Sequence, residues 1–341
     1  MRKLISYQLG LLLFSSLLFL NSCDNVPGIK STGTRNVSYL PNISGAAGEV
    51  LVVMDNFNWK NNAGDLMRKT LEQEFPALTQ PEPIFDVVHI TAGAFDDIFT
   101  FHRTIVQEEN DPEIKEASLK YGENIWAKPQ LVIKLEAPDS YSLETLIEKE
   151  QDNILNNIRA YDRKRLHDVY KSSADLEIKD LLTKYNIKMT IPRGYNVDFS
   201  NDEFTSISIE TPKTSQVIFI YEYPLKGKNA LQTSRIIEKR NAFLKKYTEG
   251  TRENSYITTA EIFPPISYDI RIKERDIVEV RGWWELHNGF MGGPFISHSM
   301  IDEKRNKVVV ADAYVYYPNN KKRNIVRQLE AIIYSMDLLE K

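Results

Sequence analysis

Ile277-Val278-Glu279-Val280-Arg281-Gly282-Trp283-Trp284-Glu285-Leu286-His287 is the stretch on which the fold turns. In an extended chain Val278, Val280, Gly282, Trp284 and Leu286 fall on one face, while Glu279, Arg281, Trp283, Glu285 and His287 fall on the other. Such alternation reads as a strand of an antiparallel sheet. The glycine-rich segment Asn288-Gly289-Phe290-Met291-Gly292-Gly293-Pro294 then turns the chain, and Asp302 to Lys307 closes a further hairpin. With Asp302 facing Lys307, Met300 pairs with Val309, His298 with Ala311 and Ile296 with Ala313. That face is apolar, so His298 reads as a core histidine. On the opposite face Ser297 lies beside Asp312 and Phe295 beside Tyr314, but no histidine joins them, and a serine nucleophile needs a base within reach.

Working upstream, Phe204 to Glu210 and Ser215 to Tyr223 flank the turn Thr211-Pro212-Lys213-Thr214, and strands follow at Tyr256 to Phe263 and Tyr268 to Ile272. A short strand is expected at Lys188 to Ile191. Helices are expected from Ala174 through Tyr185, from Asn229 to Tyr247, and at the C-terminus. There Ile325, Val326, Leu329, Ile332, Ile333 and Met336 make one apolar face, running almost to Lys341.

The first half has a different pattern. Gly48-Glu49-Val50-Leu51-Val52-Val53-Met54 contains a continuous apolar run, as in a strand covered on both faces, and Leu66, Met67, Thr70, Leu71 and Phe75 follow at helical spacing. Strands are expected at Ile84 to Ile90, Thr100 to Glu108 and Gln130 to Leu135. The charged stretch from Glu109 to Gly122 reads as an exposed excursion. Asp139 or Ser140 caps a long helix whose buried stripe is Leu143, Leu146, Ile147, Ile154, Leu155, Ile158 and Tyr161. The fold class is therefore α+β in two lobes, the second a largely antiparallel sheet flanked by helices. The expected divisions are residues 1–22, 23–42, 43–172 and 173–341.

The first two of those divisions concern address. Arg2 and Lys3 precede the apolar run Leu9 to Leu20, which is short for a spanning helix and fits a signal peptide over 1–22. Leu20-Asn21-Ser22-Cys23 resembles the bacterial lipobox, which implies cleavage before Cys23 and acylation of Cys23 by palmitate-like chains. Cys23 is the one cysteine of the chain, so no internal disulfide competes for it. Residues 24–42, with Pro27, Gly28, Gly33 and Pro41, read as a flexible linker. These features together predict a cell-envelope protein, lipid-anchored to the outer membrane and facing the periplasm.

Composition narrows the function classes. A net charge of −4 leaves no basic footprint, so no nucleic acid partner is expected. No nucleophile elbow, phosphate loop or metal-spaced His and Cys set is present, so no catalytic residue, metal or cofactor is assigned. The paired acids Asp96-Asp97 and Glu108-Glu109 fall in expected turns and read as solvated. The best candidate for binding a ligand or partner is the face made by Arg281, Trp283, Glu285 and His287, an aromatic platform with charged neighbours.

The lipobox, Trp126-Ala127-Lys128-Pro129-Gln130 and the Gly-Gly-Pro hairpin together resemble a family of Bacteroidetes lipoproteins known as a domain of unknown function. The element order of the second half is also similar to the α-β-α sandwich of the PsbP family. The first resemblance implies an envelope lipoprotein and transfers no catalytic residue. The expected function is a non-enzymatic binding or assembly module with an envelope protein or glycan as partner. The alternative is an envelope hydrolase acting on glycan or peptide.

Overall fold

The run Val50-Leu51-Val52-Val53 is apolar at every position because the strand it forms, β1 (Glu49–Val53), is covered on both faces. In the computed structural model, which describes residues 39–227, 229–250 and 252–339, β1 is followed by α1 (Asn56–Lys60), α2 (Asn62–Leu71) and β2 (Asp86–Ile90). Next come α3 (Asp97–Thr100), β3 (Thr104–Asn110), β4 (Ser118–Glu123), β5 (Leu131–Ala137) and α4 (Ser140–Ser172). The expected signal peptide, Cys23 and most of the linker lie outside the described residues. The five strands form one sheet in the order β2-β1-β3-β5-β4, parallel except for the edge strand β4.

Val50 and Val52 face α2 and α4, whereas Leu51, Val53, Ile105 and Val132 pack under Phe95, Phe99, Ile125 and Trp126. The Asp139 carboxylate caps α4 by accepting the Ser142 N–H at 2.8 Å. All seven apolar residues expected on the stripe of α4 are buried, together with Arg165.

The second lobe contains α5 (Leu176–Leu181), β6 (Ile187–Lys188), β7 (Asn196–Ser200), β8 (Phe204–Glu210), β9 (Ser215–Pro224) and α6 (Thr233–Tyr247). They are followed by β10 (Tyr256–Thr259), β11 (Ile266–Ile272), β12 (Arg275–His287), β13 (Gly292–Asp302), β14 (Lys307–Tyr316), α7 (Arg323–Ile333) and β15 (Asp337–Leu338). Strands β7 to β14 make an antiparallel sheet in the order β10-β12-β13-β14-β9-β8-β7, with β11 alongside the first half of β12. The β13–β14 register is Asp302↔Lys307, Met300↔Val309, His298↔Ala311, Ile296↔Ala313 and Ser297↔Asp312, as the hairpin reading predicts.

Three expectations are corrected. Residues 109–122 are not a plain excursion, since Ser118–Glu123 pairs with β5; Leu119 and Tyr121 pack on the core while Lys120 and Glu123 hide the alternation. Glu108 and Glu109 lie within β3 rather than in a turn, and Glu108 accepts from the Asp55 N–H at 3.0 Å and from Asn58 Nδ2 at 2.6 Å. The last helix stops at Ile333, and Asp337-Leu338 becomes a strand against β6 because its backbone finds partners there.

The two lobes share one hydrophobic core, and α7 is what joins them. It lies on the β13–β14 face of the large sheet and packs its other side against α4. Val326, Leu329, Ile332 and Ile333 are buried there, each contributing about 1.5–3 kcal/mol by removal from water. The N-terminus of α7 has no side-chain cap of its own. The first lobe supplies one: the buried Glu82 carboxylate accepts the N–H of Lys322 at 2.6 Å and of Arg323 at 3.2 Å. Arg323 also reaches Asp86 at 2.6 Å and the Pro83 carbonyl at 2.8 Å, and Arg327 donates to the Ile84 carbonyl. Among the described residues no helix is long and apolar enough to cross a membrane.

Candidate functional site

Strand β12 carries the sequence candidate, and α7 divides it in two. Over the first half of the strand the charged face is covered. Arg281 is buried and ion-paired to Glu279 at 2.6 Å on one side and to Glu330 of α7 at 2.5 Å on the other. His298, across the β12–β13 ladder from Glu279, approaches its other carboxylate oxygen at 2.9 Å. The Tyr334 ring stands edge-on to the His298 imidazole at 4.7 Å, and Arg163 of α4 covers Tyr334 at 4.1 Å. Phe75, from the first lobe, lies 5.7 Å from the Arg281 guanidinium.

Burial disfavours every charge in this cluster, so neighbours decide each protonation state. Burial would raise the Glu279 carboxyl, but Arg281 and His298 outweigh it and hold it well below its usual range. Glu330 is likewise held down, against burial, by Arg281, Arg159 and Arg163. Burial would lower Arg281, yet Glu330 and Glu279 raise it, so it stays charged. His298 goes the other way: burial lowers it in spite of Glu279. The result is a buried ionic lock between sheet, α7 and α4, in which Arg281 Nη2 and His298 Nδ1 have no hydrogen-bond partner among the described residues.

The second half of the face extends beyond α7 and is open. Trp283 is half-buried, and Glu285 and His287 are exposed. Phe263 meets the Trp283 ring edge-on at 6.1 Å, and His287 stacks on Tyr256 of β10 at 4.6 Å. Phe290 is 90% exposed and Ile262 77% exposed at the same end of the sheet, with Met291 and Phe263 also in solvent. The structure thus keeps Trp283, Glu285 and His287 together and removes Arg281 into the lock. Alternation could not reveal this split, because it depends on where α7 ends. Glu285 and His287 sit two apart on the open face; among the described residues no group of three or more His, Cys, Asp or Glu is placed to hold a metal ion. His298 is in the core, as expected. Asp312, beside Ser297, is bound by Arg240 of α6 at 2.7 and 3.3 Å.

Of the three motifs of the sequence resemblance, the two that lie within the described residues are structural. Gln130 is buried, accepts from the Trp126 and Ala127 N–H groups at 3.0 and 3.3 Å, and donates to the carbonyls of Thr100 and His102 at 2.6 and 2.8 Å. It ties the segment before β5 to the end of α3. A Cβ on Gly293 would stand 2.0 Å from the Val315 carbonyl oxygen and 2.9 Å from Trp284 Nε1, which donates to that same oxygen at 3.1 Å.

Residues 174–335 match the family model described as a domain of unknown function, DUF4837, and residues 44–171 match the one described as DUF8532. The body of the chain is thus similar to two domains of unknown function, one after the other. The DUF4837 region carries the large sheet, α6 and α7, and the DUF8532 region carries the parallel sheet and α4. No curated protein matches the chain. Among solved structures it is similar to the Ran-binding protein Mog1p of Saccharomyces cerevisiae, at 8% identity and TM-score 0.32, over 46% of this chain and 91% of that one. It is also similar to LpqN, involved in cell envelope biogenesis of Mycobacterium tuberculosis, at 10% identity and TM-score 0.28, over 45% of this chain and 82% of that one. At such scores the likeness carries nothing about function.

Proposed function

We propose that this chain is a lipid-anchored binding or assembly module of the cell envelope, held to the outer membrane through Cys23 with its body facing the periplasm. The anchor rests on Leu20-Asn21-Ser22-Cys23 following an apolar run, and on Cys23 being the single cysteine of the chain. The acyl chains add about 0.8 kcal/mol per buried methylene, and stable attachment takes more than one chain. Detergent partitioning of the wild type against Cys23→Ser tests this. The variant is expected in the aqueous phase, and equal retention of both proteins in the detergent phase would overturn the anchor.

The observation that carries the binding reading is the uncovered half of the β12 face, where Trp283, Phe263, Phe290, Ile262 and Met291 present large apolar groups to solvent. Large apolar groups left in solvent near one end of a sheet are the kind of surface that interaction sites use. The mixture of rings with the aliphatic Ile262 and Met291 favours a protein partner. A glycan site would surround its rings with hydrogen-bonding groups. A photo-crosslinking residue at position 290 is expected to give a protein adduct in intact cells. The adduct should be absent from the exposed position 169 on α4, and lost in Trp283→Ala with His287→Ala. A glycan adduct would replace the protein partner, and no position-specific adduct would remove this face from the proposal.

A further inference from the structure

The edges of the large sheet are protected unequally. Strand β7 is polar and carries a bulge between Val197 and Phe199, and a bulge resists pairing with another chain. Strand β10 is covered by α6: the outward N–H of Ile257 donates to Thr248 Oγ1 at 3.0 Å, and that of Thr259 to Asn241 Oδ1 at 3.0 Å. Strand β11 continues the same edge along β12 and has neither protection. Its seven residues, Ile266-Ser267-Tyr268-Asp269-Ile270-Arg271-Ile272, hold an unbroken register with β12 from Ile266↔Arg281 to Ile272↔Arg275.

The turn after β11 decides which of its main-chain groups face outward. Lys273 and Glu274, at φ 47° and 64°, are the two residues between the paired Ile272 and Arg275. A two-residue turn of this hand closes on a pair that exchanges both N–H···O bonds. Alternation then points Ile266, Tyr268, Ile270 and Ile272 at β12 and turns the N–H and C=O groups of Ser267, Asp269 and Arg271 outward. The Trp283 carbonyl agrees in parity, accepting the Ala260 N–H on this side of β12 at 2.8 Å. Among the described residues the outward N–H groups of Ser267, Asp269 and Arg271 have no main-chain partner. Their side chains lie exposed beside an open groove of about 650 Å3 at the start of α6. There Ser267 meets Thr233 at 2.8 Å, and Arg271 stands 3.7 Å from the exposed Asp276. On the other face Ile266 and Tyr268 are exposed, and Ile270 and Ile272 rest partly buried on the core.

We propose that β11 is the seam of a two-fold dimer, pairing antiparallel with the same strand of a second copy of this chain in the register centred on Ile270. Charge argues for this occupant. In that register Asp269 stands opposite the partner's Arg271, and Arg271 opposite the partner's Asp269. All four are outward-facing, so each pair exchanges two main-chain hydrogen bonds. On the other face Tyr268 meets the partner's Ile272, and Ile270 meets the partner's Ile270. Moving the axis to Asp269 or to Arg271 sets like charges opposite one another. Moving it to Tyr268 sets Arg271 against the partner's Pro265, which has no N–H to give. Such self-matching is what a two-fold interface demands, because residue i must meet j while j meets i. The seam is short and the dimer therefore weak; the exposed ion pairs fix register more than they add affinity. This inference goes beyond the binding reading above and uses no residue of the Trp283 face.

Sedimentation equilibrium of the full chain in density-matched detergent, over rising protein concentration, tests the seam. Wild type is expected to pass reversibly from monomer to dimer. Asp269→Arg sets arginine against arginine across the axis, and Arg271→Asp sets aspartate against aspartate. Each variant alone should dimerise about tenfold more weakly. Mixed in equal amounts, the two should recover the wild-type dimer, because every arginine then faces an aspartate; a folding defect would not be cured by mixing. The double variant Asp269→Arg with Arg271→Asp is again complementary to itself and should dimerise as wild type does. It decides the matter if either single variant loses the wild-type circular dichroism. A wild type that stays monomeric, as when β11 awaits the strand of a different protein, overturns the proposal. So does a mass that grows beyond the dimer, unchanged dimerisation of a single variant, or failure of both the mixture and the double variant to recover it.

Discussion

The carboxylate of Glu82 accepts the backbone N–H of Lys322 at 2.6 Å across 240 residues of sequence. A helix of one lobe is thus capped by a side chain of the other. Replacing Glu82 with Ala strips two buried N–H groups of their acceptor and removes a negative charge from the positive pole of α7. The expected loss is about 2–4 kcal/mol. Glu82→Gln, which keeps one acceptor, should lose about half of that. Urea midpoints measure both; an alanine variant as stable as wild type would show that the cap contributes nothing.

The Glu279–Arg281–Glu330 lock predicts a larger effect. Arg281→Met removes the cation that lies between two buried carboxylates, a change that costs about 3–5 kcal/mol. Converting Glu279 and Glu330 to Gln in the same background should restore most of the stability, because no buried charge then lacks a partner. Full recovery by the triple variant and failure of the single one is the outcome to look for in denaturant unfolding.

Acid unfolding follows from the same residues. Glu279 and Glu330 titrate below the ordinary value of 4.5 in the folded chain, held there by Arg281 against burial. The stability they contribute as anions is complete above pH 4.5 and is lost as pH falls through their folded values. His298, lowered by burial from 6.5, behaves in the same sense: the folded chain resists its protonation, so stability falls as pH drops from 6.5 toward the folded value. Proton NMR should find the imidazole neutral at a pH where an unfolded histidine is half charged. His298→Gln should flatten the slope of stability against pH in that window and leave the carboxylate-driven loss below it in place.

Gly293 and Gly93 make a contrast with opposite expectations. Alanine at 293 places its Cβ 2.0 Å from the Val315 carbonyl oxygen and crowds Trp284, so β13 and β14 must separate there. The expected cost is about 1–3 kcal/mol or more. At Gly93 nothing lies within 4 Å, and Gly93→Ala should stay within about 1 kcal/mol of wild type. Melting temperatures of the two variants settle the comparison.

Much of the large sheet is legible from its residues because each strand states its own face. The alternation over Ile277 to His287 predicts which side chains are opposite α7, and Asp302 with Lys307 fixes a register that holds over eight pairs. The stripe of α4 is readable for the same reason, since its period is a local property. Edge strands are less legible. Asn196–Ser200 is Asn-Val-Asp-Phe-Ser, polar because the strand is solvated and carries a bulge between Val197 and Phe199. The candidate site is legible only in part. Nothing near Arg281 says that Glu330, on a later helix, will bury it, and nothing near Glu82 says that it caps that helix. Both facts arise from contacts between distant segments, which no window of sequence contains.

The position of α7 has a consequence for the order in which the molecule can be completed. Every strand of the large sheet precedes residue 323 in the chain, yet the lid for Glu279, Arg281 and His298 begins there. Until that segment arrives during synthesis, the sheet presents an uncovered face of mixed charge and hydrocarbon, and the loop at Glu82 to Asp86 holds acceptors for a helix not yet made. The joint between the lobes is therefore the last part to form, and a nascent chain shorter than this helix is open along its whole midline.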